Sequence, residues 1–330
     1  MDEIIKLDHA SMAFKVGGGL FSPKQFIRAV DDVNLTIKEE EIVSLVGESG
    51  CGKTTTGKMI AGLLKPTDGR VLFYGRDIWK MKRDEFTKYR RAVQIIHQDP
   101  YASLNPTSTI YKIISAPLFR HKIVRNKKEA VEKVKDLLET VGLTPPEDFI
   151  YKYPHQLSGG QRQRVSVART LTVNPKFIVA DEPVSMIDVS IRLSILKLLS
   201  KLREDMGAAF LFITHDLAVA RYFSWRGRIA VMYLGNLVEV GPTPKVIGEP
   251  LHPYTKALLS AVPEPDPKLT RSKKVMKLRS FDVPSLLNLP SGCKFHPRCP
   301  FFMEGLCDVK KPPLLEVKDN RYVACFLYGK

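Results

Sequence analysis

The chain has 330 residues, 44% hydrophobic and 26% charged, proportions that suit a large α/β domain with an appendage and exclude collagen-like, coiled-coil and disordered classes. Lysine and arginine outnumber aspartate and glutamate by 51 to 35, for a net charge of +16, which permits polyphosphate, anionic lipid or nucleic acid as partner and selects none of them. Apolar runs such as residues 42–46 and 210–213 fall far short of the ~20 residues that span a bilayer.

An acidic start without the basic-then-apolar order of a secretory signal points to the cytosol, where the five cysteines are expected as ligands or free thiols rather than disulfides. In chain order the patterning predicts strands at 30–37 and 41–46, a helix at 53–64 and a strand at 70–74. From 101 to 153 the strand pattern gives way to helical periodicity, carried by Ala130, Val131, Val134, Leu137, Leu138 and Val141, which reads as an inserted helical subdomain. A strand at 177–180, a helix at 190–204 and a strand at 209–214 resume the alternation of a mostly parallel sheet. Residues 228–240 read as a hairpin turning at Leu234-Gly235-Asn236. Beyond Pro242 prolines multiply, and four cysteines lie in a segment with little regular pattern.

Gly47-Glu48-Ser49-Gly50-Cys51-Gly52-Lys53-Thr54 follows an apolar strand and opens a helix, the context in which GxxxxGK[ST] forms a phosphate cradle. Its glycines let successive amides turn toward phosphate oxygens, and the helix start adds favourable partial charge. Lys53 is expected on the β- and γ-phosphates and Thr54 on Mg²⁺, with Thr55 beside them and Cys51 a bystander thiol. The run 177–182 ends in Asp181 and Glu182. Asp181 is expected to hold the Mg²⁺ hydration shell and Glu182 to polarise the attacking water.

Leu157-Ser158-Gly159-Gly160-Gln161 reproduces without mismatch the LSGGQ signature of the ABC ATPases, upstream of Asp181-Glu182, and the chain resembles that family. The resemblance implies a fold: an α/β P-loop NTPase with a RecA-like core, a flanking β layer and an inserted helical subdomain, here extended by a small Cys-rich tail. It also implies a head-to-tail dimer in which Ser158, Gly159, Gly160 and Gln161 close over the γ-phosphate of ATP held by the partner's cradle. Gln98 takes the Q-loop position and, with Thr54 and Asp181, the Mg²⁺ site. Asp188 ends the D-loop Ser185-Met186-Ile187-Asp188, and His215 is the switch histidine. An aromatic upstream of the cradle stacks on adenine in this family; Phe14 is favoured over Phe21 and Phe26.

The runs Gln98-Asp99-Pro100-Tyr101-Ala102-Ser103-Leu104-Asn105-Pro106 and Leu251-His252-Pro253-Tyr254-Thr255-Lys256-Ala257-Leu258 resemble the ATPase subunits of oligopeptide and dipeptide importers, in motif order more the F-type than the D-type. The implied partners are a second ATPase subunit, two membrane permease subunits and, indirectly, a solute-binding protein, with the ATPase peripheral on the cytoplasmic face. Its receptor surface for the permease is expected at 101–105. Related importers carry oligosaccharides or nickel. A nucleic-acid-directed ATPase of the same class would need a long heptad coiled coil between cradle and signature, and only about a hundred residues without that repeat lie there.

The spacing Cys293-x5-Cys299-x7-Cys307-x17-Cys325 suits zinc or iron–sulfur by ligand chemistry and leaves free thiols open. In the resembled subfamily the segment holds a [4Fe-4S] cluster, with a structural role. His296 is a substitute-ligand candidate, though Pro297 beside it suggests a turn. The expected organisation is 1–100 for the β layer and cradle, 101–160 for the helical subdomain with the signature, 161–245 for the rest of the core and 246–330 for the extension.

Overall fold

The structure, a computed structural model, describes residues 2–17, 25–262 and 275–329. The elements run β1 (Glu3–Val16), β2 (Gln25–Lys38), β3 (Ile42–Val46), α1 (Lys53–Ile60), β4 (Asp68–Phe73), β5 (Arg76–Asp77), α2 (Arg83–Ala92) and β6 (Val93–Ile96). Helices then take over: α3 (Pro100–Ser103), α4 (Ile110–Arg120), α5 (Lys127–Thr140), α6 (Glu147–Ile150) and α7 (Gly159–Leu171). The alternation returns with β7 (Phe177–Asp181), α8 (Val189–Met206), β8 (Ala209–Thr214), α9 (Leu217–Phe223), β9 (Arg228–Tyr233), β10 (Asn236–Pro242), α10 (Thr243–Gly248) and α11 (Pro253–Ala261), and β11 (Leu315–Lys318) and β12 (Arg321–Val323) close the order. No helix among the described residues is long and apolar enough to cross a membrane.

The elements divide into two compact units. One comprises the chain up to Ile4, 38–41 and 80–213. In it β6, β7 and β8 pair in parallel, in the order β8-β7-β6. Every residue of β7 is buried, the pattern of a parallel strand covered on both faces. The stretch between β6 and β7 is helical, as its periodicity predicts. α5 is fixed by a cap and a stripe: Asn126 Oδ1 accepts from the Glu129 amide at 2.9 Å, and Ala130, Val134, Leu137 and Leu138 form the buried face.

The second unit comprises 5–37, 42–79 and the chain from Thr214 onward. It carries an antiparallel sheet in the order β2-β1-β4-β5, the expected β layer. Its other strands run β11-β12-β10-β9-β3, with β3 parallel to β9 and the rest antiparallel. The hairpin β9–β10 turns where expected, with Leu234 and Gly235 at φ 41° and 84°.

Several elements have no counterpart in the sequence patterning, among them β6, α2 and the pair β11–β12. β6 is only 4 residues long, and β11 is exposed along its length, so neither shows a period. The Cys-rich tail is also more integrated than its composition suggests. Phe295 and Cys299 belong to the same buried cluster as Val46, Val231, Tyr233 and Tyr254. The Phe295 ring sits edge-on to Tyr233 at 5.3 Å and against Tyr254 at 5.4 Å.

Beneath α11, Glu239 is fully buried on β10, pairs with Arg321 at 3.3 Å, and accepts the Leu251 and His252 amides, both at 2.9 Å. The buried carboxylate thus has a cationic partner and hydrogen bonds on both oxygens, the condition under which a buried charge is tolerable.

Candidate functional site

In the second unit the chain turns sharply after β3 and enters α1 through Gly52, whose φ of 107° is left-handed. A Cβ there would lie 2.2 Å from the Ala29 carbonyl oxygen, and one on Gly47 would lie 2.1 Å from that of Met232, so only glycine fits either place. Lys53 is 4% exposed and folds back over its own loop. Its ammonium donates to the carbonyls of Gly47 at 2.8 Å and Glu48 at 2.9 Å, with the Cys51 sulfur at 3.8 Å. Burial pushes the Cys51 thiol up. His215 is exposed just beyond β8, followed by Asp216, whose Oδ1 caps α9 by accepting from Ala218 at 2.8 Å. Phe14 is 36% and Phe26 63% exposed; Phe21 lies outside the described residues.

In the first unit Asp181 ends β7 and is 3% exposed. Glu182 follows at φ 44°, a left-handed conformation rare for a side chain that is not glycine. Its amide donates to the Ile213 carbonyl at 2.9 Å, and its carbonyl accepts from the Ser185 amide at 3.2 Å and hydroxyl at 2.9 Å. The strained backbone is thus held from both sides, and the Glu182 carboxylate meets Gln98 Nε2 at 3.2 Å. Gln98, Asp181 and Glu182 therefore gather at the carboxyl ends of β6 and β7, where parallel α/β sheets place their ligands.

The signature opens α7. Ser158 is exposed at the N-cap, its Oγ accepting from the Gln161 amide at 3.3 Å while Gln161 Oε1 accepts from the Ser158 amide at 2.9 Å. This reciprocal cap fixes the first turn. Gly160 is buried against α8, where a Cβ would come within 2.9 Å of Ile191 Cγ2. Asp188 stands at the N-cap position of α8 without a side-chain capping hydrogen bond, and Met186 and Val189 beside it are 57% and 75% exposed.

Sequence reasoning missed the arginines of α7. The Arg162 guanidinium lies over the Tyr101 ring at 3.6 Å and donates to the Tyr101 hydroxyl and, at 3.1 Å, to the Pro154 carbonyl. Arg169 donates to the Ser103 carbonyl at 2.6 Å. The segment after Gln98 is thereby fastened to the signature helix. No local motif marks either residue in the sequence.

The cysteines of the tail form no disulfide. Burial, then the neighbouring sulfurs, push Cys293 up to about 12 and Cys299 up to about 11, and Cys325 moves the same way. The four thus lie within one another's fields. Yet among the described residues no group of three or more His, Cys, Asp or Glu side chains is gathered so as to hold a metal ion. The closed four-sulfur ligand set expected at these cysteines is not formed among the described residues. His296 is turned inward on its own loop, Nδ1 at 3.0 Å from the Cys293 carbonyl, and is not aimed at the sulfurs as a ligand.

Residues 30–185 match the family model described as ABC transporter, and 238–307 match that described as oligopeptide/dipeptide transporter, C-terminal region. The oligopeptide transport ATP-binding protein OppF of Salmonella typhimurium is 46% identical over 92% of this chain and 89% of its own length. AppF of Bacillus subtilis, also an oligopeptide transport ATP-binding protein, is 42% identical over 99% and 98%. The solved dimer of the ATP-binding cassette MJ0796 in a post-hydrolysis state with ADP and phosphate superposes with a TM-score of 0.64 and 34% identity, over 73% of this chain and 99% of that one. Fold and motifs together define an ABC-type cassette whose reaction is ATP hydrolysis. Within that class, the chain belongs to the family of oligopeptide and dipeptide transporter ATP-binding subunits.

Proposed function

We propose that this subunit powers import of peptides through a pair of permease subunits, working at the cytoplasmic face of the membrane as half of a head-to-tail ATPase dimer. The observation that carries the reading is the juxtaposition of Gln98 with Glu182 on one parallel-sheet edge, with an intact cradle and signature in the same chain. The segment 47–55 takes the phosphates of ATP, Thr54, Gln98 and Asp181 the magnesium, and Phe14 the adenine. Glu182 orients water, His215 senses the γ-phosphate, and Ser158 to Gln161, with Asp188, act on the nucleotide of the opposite subunit. The Tyr101 to Asn105 segment meets the permease, and its ties to Arg162 and Arg169 carry that contact to the signature. The divisions at 100, 160 and 245 follow these roles.

The reading extends to the tail, where Cys293, Cys299, Cys307 and Cys325 hold a [4Fe-4S] cluster in the assembled protein. Four soft sulfur donors suit iron–sulfur, and their spacing lacks the paired CxxC knuckles of structural zinc. The cluster would staple the tail, since ATP hydrolysis needs no electron.

Reconstitution in vesicles with the permease pair and solute-binding protein from adjoining genes tests the function. ATP-dependent uptake of labelled peptides is the expected result. Uptake of nickel or an oligosaccharide without peptide would move the substrate to those branches, and ATP hydrolysis insensitive to the permease would overturn the transport role.

A further inference from the structure

We propose that the short segment bracketed by Cys293 and Cys299 is a strut for the phosphate cradle, with Arg298 and Tyr254 as positioning residues that act on it through Glu48. The inference rests on the reading that 47–54 receives the phosphates of ATP.

Glu48 occupies an unspecified position of the cradle motif, and every polar group it owns is engaged. Its amide donates to the Tyr254 hydroxyl at 2.9 Å. Its carbonyl accepts from the Lys53 ammonium at 2.9 Å. Its carboxylate receives both terminal nitrogens of Arg298, at 2.9 and 3.1 Å. Arg298 is 6% exposed and its guanidinium lies 5.8 and 5.7 Å from the ring centres of Tyr233 and Phe295. A bidentate pair with one partner buried among aromatic rings has one geometry, unlike an exposed pair that swings freely.

The same segment reaches the cradle at a second point. Lys294 donates to the Leu234 carbonyl at 2.7 Å and pairs with Asp31 at 3.0 Å, and the next amide, that of Gly235, donates to the Cys51 carbonyl at 2.9 Å. Two of the cradle's peptide groups, at Glu48 and Cys51, are therefore oriented from outside the motif. A phosphate cradle works only if its free amides point inward before ligand arrives, because rotating them on binding subtracts from affinity. The Glu48 amide is already spent on Tyr254, so phosphate must be met by the amides that follow it.

Binding of Mg-ATP by the full-length chain, measured alongside thermal melting, tests the strut. Tyr254→Phe deletes one oxygen and leaves the ring in its cluster; it is expected to weaken ATP about 2- to 10-fold, the worth of one hydrogen bond, with melting close to wild type. Arg298→Ala and Glu48→Gln should each weaken ATP about tenfold or more, with the double variant no worse than the poorer single. Arg298→Lys should restore part of the loss. Tyr254→Phe and Arg298→Ala proteins that bind ATP as wild type does, while Lys53→Ala abolishes binding, would refute the strut and leave the cradle reading intact. Unchanged binding by Lys53→Ala would overturn the cradle reading and the strut with it.

Discussion

Gln98 donates from its amide nitrogen to the Glu182 carboxylate across 3.2 Å, joining the segment after β6 to the residue after β7 at the carboxyl ends of the parallel strands. The contact explains how a glutamate at φ 44° keeps one direction: its backbone is pinned by Ile213 and Ser185, and its side chain by Gln98.

Glu182→Gln should leave ATP binding intact and reduce turnover at least a hundredfold, because an amide cannot assist water as a carboxylate does. Hydrolysis assays with the partner subunits present check this. Turnover equal to wild type would remove Glu182 from the role of water activation.

Composite sites predict complementation in trans. Ser158→Arg should block dimer closure while sparing ATP binding at its own Lys53, and Lys53→Ala should do the reverse. Mixed in one homodimer preparation, the two defective subunits should regain the activity of one functional site per mixed dimer; no recovery would contradict the head-to-tail arrangement. In a heterodimer the partner's motifs carry the corresponding changes.

His252 gives a pH signature to stability. Its ring is 1% exposed and accepts from the Tyr254 amide at 3.0 Å, and burial pushes its pKa down to about 3. Below the unfolded value of about 6.5 the unfolded chain takes up a proton that the folded chain refuses. Stability therefore falls as pH drops from about 6.5 toward 3, by roughly 2 kcal/mol between pH 7 and pH 5 from this residue. His252→Asn should melt with a shallower pH slope than wild type over that range, and an unchanged slope would show that the ring is not held neutral.

Phe295→Ala should destabilise the second unit by about 3–5 kcal/mol, the cost of emptying a buried aromatic site, read as a lower denaturation midpoint. A change below about 1 kcal/mol would mean that the tail is not part of the core.

Protein isolated anaerobically should be brown and carry about four irons per chain at the four cysteines. Stoichiometric zinc without iron would keep the ligands and reject the cluster; no metal at all would reject both.

The sequence by itself determined what depends on local order. The cradle at 47–54, the buried strand ending in Asp181-Glu182 and the signature at 157–161 are contiguous motifs whose glycines, caps and apolar runs act on their own neighbours. The helical stretch between β6 and β7 was equally legible, because an amphipathic helix such as α5 writes its 3.6-residue period over several turns. Only the tertiary structure decided the long-range pairings. Nothing local announces that Arg298 meets Glu48, that Tyr254 caps the Glu48 amide, or that Arg162 stacks on Tyr101, since each joins residues remote in the chain. The same limit applies to the cysteines. Their spacing names a donor set, but packing sets where each sulfur sits, as for Cys299 in the buried cluster with Phe295. These are properties of the surrounding fold, and no spacing encodes them.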